Sequence, residues 1–153
     1  MEFTCLRWDL LPQIALYMDQ VLLVLNQALA PLSVSEEPVV TGTMINNYVK
    51  MKLAAPAVKK KYDREHMARF VMICLLKKVL SMTEIADVLD RLLAERDLAA
   101  GYELFCRELE IRLRTPDGPD GEGCPDYLAA AVRAVACKIL LEHMLRQNQA
   151  ETR

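Results

Sequence analysis

The 153-residue sequence is short of several residue types on which chemistry usually rests. It has only two histidines, His66 and His143, far apart and without a partner at ligand spacing, so neither a metal site nor histidine acid–base catalysis has a foundation. His66 reads as a surface residue in the first turn of a helix. The five cysteines (Cys5, Cys74, Cys106, Cys124 and Cys137) are odd in number, widely spaced and form no CxxC pair, which argues against a disulfide framework or a thiolate cage. Cys74, in an apolar run, is expected to be packing, and Cys124 the more accessible thiol. Only five glycines occur, and GxSxG, HExxH, GxxxxGK[ST] and GxGxxG are all missing. The expectation is a protein that is not an enzyme and uses no metal and no cofactor.

A long uncharged apolar run is also lacking. The first apolar run is flanked by Glu2 and Asp9 and interrupted by Asp19, and the second, over 128–145, contains Arg133, Lys138, Glu142 and His143. No signal peptide, membrane span or membrane partner is expected, and a reducing cytoplasm fits the cysteines.

What the sequence does have is apolar content, 53% of residues, enough for a substantial core without staples. It also has an uneven charge distribution. Residues 41–78 hold nine lysines and arginines against two acids, whereas the rest of the chain holds ten against 19. A basic segment in an acidic chain is the electrostatic footprint of a polyanion-binding head.

Apolar spacing predicts a helix over about 12–29, with Pro12 in its first turn, and a loop over 30–40. A short helix should follow, capped by Thr41 or Thr43 and stopped near Leu53 because Pro56 disfavours helix at Ala55. Residues 57–62 read as an extended loop or a stub of hairpin. Asp63 should cap a central, nearly all-apolar helix over 64–80, and Ser81 or Thr83 should start an amphipathic one. A fifth helix is predicted over 98–114 and a sixth from Asp126 onward. Between them TPDGPDGEGCP, with three prolines, three glycines and three acids, reads as a flexible linker over 115–125.

The basic segment contains groups that can both neutralise phosphates and bond base edges. Thr43, Asn46 and Lys50 lie one turn apart and would share one helix edge, with Asn47 beside them, while Ile45, Tyr48, Val49 and Leu53 would face inward. The run TMINNYVKMKLAAP followed by KKKYDREHMARFVMICLLKKVLSMTEIADVL resembles the head of the MerR-type regulators: a recognition helix ending in a tyrosine, a Gly-Leu step, a basic wing, then a tyrosine before two helices. Tyr48 and Leu53 match the helix tyrosine and the leucine, and 59–62 matches the wing. Asn46 stands where the pattern has arginine and Lys52 where it has glycine, the wing is shortened, and the preceding loop is longer than in a tight helix-turn-helix. More narrowly, LYMDQV, MINNYVKMKL and KKKYDREHMA resemble a family of small bacterial proteins catalogued as a domain of unknown function, over about 10–95.

The resemblance implies phosphate contacts from Tyr48, Lys59, Lys60 and Lys61, and base contacts from Asn46, Asn47 and Lys50; Thr43, Lys52 and Tyr62 complete the expected set of DNA-binding residues. The resulting expectation is a mainly α protein with a MerR-like winged-helix or helix-turn-helix head, its wing shortened, over 10–95. A C-terminal helical part over 96–153 would serve dimerisation or hold a ligand. Its function would be that of a DNA-binding transcriptional regulator with a recognition helix at about 43–53 and a basic loop at 57–62. It would act on double-stranded DNA as a homodimer, with an unidentified small-molecule effector as a further partner. The alternatives are a helical adaptor whose lysine patch docks an acidic protein, and a regulator whose head has lost DNA binding.

Overall fold

The computed structural model describes residues 1–151. They form six α-helices and one two-stranded antiparallel sheet: β1 (Leu16–Tyr17), α1 (Met18–Leu29), α2 (Gly42–Lys50), β2 (Lys61–Tyr62), α3 (Arg64–Leu76), α4 (Met82–Ala94), α5 (Leu98–Arg114) and α6 (Asp126–Glu151). Short 3-10 turns lie at Trp8–Leu10 and Ala30–Leu32. The chain is mainly α, as its composition and periodicity imply. No helix of the described residues is long and apolar enough to cross a membrane.

α3 forms the axis of the core because its apolar residues go all the way round. Met67, Phe70, Val71, Met72, Ile73, Leu75 and Leu76 are all buried, against α1 on one side and α5 and α6 on others. Phe105 and Leu109 of α5 and Val132, Val135 and Ile139 of α6 belong to the same buried cluster, so the two expected parts of the chain meet in one core. Asp63 caps α3 by accepting from the His66 N–H at 3.0 Å, Ser81 caps α4 through Glu84 at 3.2 Å, and Asp97 caps α5 through Ala100 at 2.8 Å. α4 and α5 approach closely at Gly101, where a Cβ would stand 3.2 Å from Leu92 Cγ.

Three local expectations are corrected. The first helix begins at Met18 instead of near Pro12, because Leu16 and Tyr17 pair with Tyr62 and Lys61, 46 and 44 positions away, which no local pattern reveals. α3 ends at Leu76, and the backbone to Leu80 continues in tighter turns such as Val79 N–H to Leu76 C=O at 3.1 Å. The 115–125 segment, read as a flexible linker, is tied along its length. The buried Arg112 guanidinium donates to the carbonyls of Gly118 and Pro119, Glu108 accepts from the Gly121 N–H at 3.1 Å, and Arg133 pairs with Asp120 at 2.5 Å.

The first residues are equally fixed. Arg7 bridges Glu103 at 2.6 Å and Glu110 at 2.7 Å on α5, and burial is outweighed by these carboxylates, which hold the guanidinium pKa above its ordinary value. The Trp8 N–H donates to Glu103 at 2.8 Å, completing a strap laid along α5.

Candidate nucleic-acid interface

α2 is positioned from both ends. At its start the Asn26 side chain of α1 pairs with the Val40 backbone, donating to its carbonyl at 3.0 Å and accepting from its N–H at 3.0 Å, which holds the preceding loop against α1. Thr41 then supplies the cap, its hydroxyl accepting from the Met44 N–H at 3.3 Å.

The end of α2 is a Schellman turn. Leu53 N–H donates to Tyr48 C=O at 2.9 Å and Lys52 N–H to Val49 C=O at 3.0 Å, with Lys52 in the left-handed region at φ 62°. The helix therefore stops at Lys50, three residues before the expected Leu53. Glycine is the usual occupant of that left-handed position, and lysine there costs about 1–2 kcal/mol.

The 57–62 segment is a hairpin. Val58 and Lys61 exchange backbone hydrogen bonds of 2.9 and 3.0 Å around Lys59 at φ 52° and Lys60 at φ 66°. Two successive positive φ values define a type I′ turn, for which Asn-Gly is the usual pair. Across β1 and β2, Tyr17 lies beside Lys61, whose ammonium sits 5.0 Å over the Tyr17 ring. All three non-glycine residues with positive φ among the described residues are thus lysines of the basic segment.

Both lysine-bearing pieces are fastened to α3. Arg69 donates to the Leu53 carbonyl at 3.4 Å, and His66 Nε2 lies 3.1 Å from Ala55 O and 3.2 Å from Pro56 O. Tyr48 meets α3 further along, at Cys74 and under the Lys77 ammonium. From residue 66 to residue 74 the α3 axis advances about 12 Å. Tyr48 of α2 and the Ala55–Pro56 segment that leads into the hairpin therefore meet α3 at points about 12 Å apart along its axis.

Thr43, Asn46, Asn47, Lys50, Lys52, Lys59 and Lys60 are all exposed, and Lys61 is partly buried. The side chains of Asn46, Asn47, Lys50, Lys52, Lys59 and Lys60 carry no hydrogen bond or ion pair to any other described residue. The amides are not spent on capping α2.

The two tyrosines are different: both are buried, which argues against the DNA contacts expected of them. Tyr48 is 1% exposed, with its hydroxyl 4.0 Å from the Cys74 thiol, and burial pushes the phenol pKa well above its usual value. Tyr62 is 7% exposed, its ring edge-on to His66 and Phe70. Both belong to the buried core. Cys74 is buried packing as expected, its thiol pushed up to about 11 by burial. Cys124 is half-buried and also pushed up to about 11, chiefly by burial and then by Glu108, so Cys137 is the exposed thiol.

Sequence reasoning also misplaced His66. It is buried, not on the surface, and its ring joins the Asp63 cap to the Ala55 and Pro56 carbonyls that lead into the hairpin. Burial raises the Asp63 carboxyl, but the hydrogen bonds from the His66 backbone and ring outweigh it and hold the group below its ordinary pKa. The signal was present as DxxH, a capping-box spacing with histidine in the glutamate position. Lys77, exposed at the end of α3 above Tyr48, was counted in the basic segment but not placed at the site.

Neither a curated protein nor a solved structure matches this chain. Its sequence does match one family over residues 6–105, which take in β1, α1, α2, the hairpin, α3, α4 and half of α5. The chain belongs to the family described as Domain of unknown function (DUF1836).

Proposed function

We propose that the protein is a DNA-binding transcriptional regulator of MerR-like type, acting as a homodimer, in which α2 and the lysine hairpin engage a duplex. The observation that carries this reading is the set of unengaged, exposed groups: two amides and a lysine on α2, and three further lysines held in left-handed backbone. Strained conformations persist where the surroundings over-determine them and cluster at functional sites. A chain selected for stability alone would place glycine or asparagine at Lys52, Lys59 and Lys60. The left-handed turn at Lys52 also preserves the backbone shape that glycine provides in the regulator pattern.

Under this reading Lys50, which the resemblance alone would set at a base edge, joins Lys52, Lys59, Lys60 and Lys61 in neutralising phosphates, while Thr43, Asn46 and Asn47 face base edges. Tyr48, Leu53 and Tyr62 support the surface from below. Binding of duplex DNA, followed by fluorescence anisotropy over a range of salt, tests the assignment. Five phosphate contacts give a slope of log K against log salt near roughly −4.5. A chain that fails to bind duplex even at low salt is not this regulator.

A second reading, an adaptor for an acidic protein, draws on Met51 and Val58, which are 52% and 69% exposed among the lysines. Such apolar groups suit a protein partner. The adaptor reading expects no duplex binding under any of these conditions.

A further inference from the structure

We propose that Cys5 and Cys106 are a disulfide-forming pair, a reversible modification that locks the N-terminal strap onto α5. Their Sγ atoms lie 2.7 Å apart although the residues are 101 positions apart in sequence. That separation is shorter than the resting contact of two unbonded sulfurs and only about 0.7 Å longer than a disulfide bond. Both thiols are free in the structure and both are buried.

The surroundings fix the pair in register before any bond forms. The Cys5 N–H donates to Glu110 at 2.8 Å, the Trp8 N–H to Glu103 at 2.8 Å, and the Tyr102 hydroxyl to the Leu6 carbonyl. Arg7 joins the same two glutamates. Cys5 is therefore held opposite the turn of α5 that carries Cys106, and ring closure has little further freedom to remove. The Cys74 thiol faces Tyr48 and the Cys124 thiol donates to the Pro125 carbonyl at 3.6 Å, so the sulfur–sulfur contact singles out one pairing.

The chemistry is thiol–disulfide exchange with a low-molecular-weight disulfide or the disulfide of an oxidoreductase. When the strap opens, the Cys5 thiol loses its proton to solvent and attacks the oxidant, forming a mixed disulfide and releasing one thiol. The Cys106 thiol then loses its proton and attacks the Cys5 sulfur, releasing the second thiol. The two cysteines lose two electrons and two protons, and the oxidant, gaining both, becomes two thiols. Burial raises the Cys106 pKa, so exchange runs through the opened strap and not through the closed one.

The test uses the full chain in buffers of oxidised and reduced glutathione at graded ratios, both on the native protein and during refolding from urea, so that access does not limit the outcome. Thiols are blocked with N-ethylmaleimide and the mass is measured. The expected product carries three blocking groups where the reduced chain carries five, with Cys5 and Cys106 joined in the peptide map. Closing a loop of about 100 residues should raise Tm by about 10 °C over the reduced form. Cys5→Ala and Cys106→Ala should each abolish both the crosslink and the redox dependence of Tm. Five blocking groups at every ratio in the refolding arm, or a crosslink through Cys74, Cys124 or Cys137, would overturn the assignment. This outcome is independent of DNA binding.

Discussion

Replacing Lys59-Lys60 by Asn-Gly sets stability against binding. The two lysines occupy left-handed backbone at φ 52° and 66° in a turn closed by hydrogen bonds of 2.9 and 3.0 Å. Each non-glycine residue there costs about 1–2 kcal/mol, which glycine avoids and asparagine partly avoids. Against this, glycine loses about 0.5–1 kcal/mol more chain entropy on folding. The balance favours the double variant by roughly 1–1.5 kcal/mol, or about 4 °C in Tm for a chain of this size. The same change removes two of five cations, so the salt slope of duplex binding should flatten from about −4.5 to about −2.7. Thermal melts and anisotropy titrations on one preparation read both quantities. A variant that melts lower than wild type would refute the type I′ assignment. One that melts higher and binds DNA with an unchanged slope would show that these lysines are not phosphate contacts.

Tyr48→Phe should leave duplex affinity unchanged and cost under about 1 kcal/mol, because it removes only a buried hydroxyl facing a thiol. Tyr48→Ala should cost about 3–5 kcal/mol by emptying the core under α2, and a large loss of affinity in the folded Phe variant would restore the phosphate role. The Asp63 carboxyl has a folded pKa below its unfolded one, so its contribution is present above about pH 4 and is lost as pH falls through the folded value. Wild type should therefore be more stable than Asp63→Asn at pH 7 and lose that advantage progressively as the pH is taken through the acid range below about 4. A constant difference in Tm across that range would show that the cap does not use the carboxylate charge.

Much of the helical layout was legible because its signals are local. Asp63 and Ser81 each announced a helix through a capping side chain, and the starts at Leu98 and Asp126 followed from apolar spacing. The basic segment was legible from charge, and its exposure on α2 from the period of Ile45 and Tyr48. Features made by distant partners were not legible. Leu16 and Tyr17 read as helix because their ladder partners lie at 61–62. His66 read as surface because the carbonyls it meets arrive from the loop after α2. The left-handed lysines ran against the usual signal, since a sequence reading looks for glycine or asparagine where the backbone must turn that way. TPDGPDGEGCP has the composition of a tether, yet Arg112 and Glu108 reach it from a helix that ends before it begins.

Selection of bound sequences from random DNA duplexes near physiological salt is the most direct measurement of the central claim, that the amides and lysines over α2 and the hairpin read a duplex. Wild type should enrich a motif, and Asn46→Ala should enrich a different one. Recovery of no motif by the wild-type chain would contradict the account and favour a protein partner.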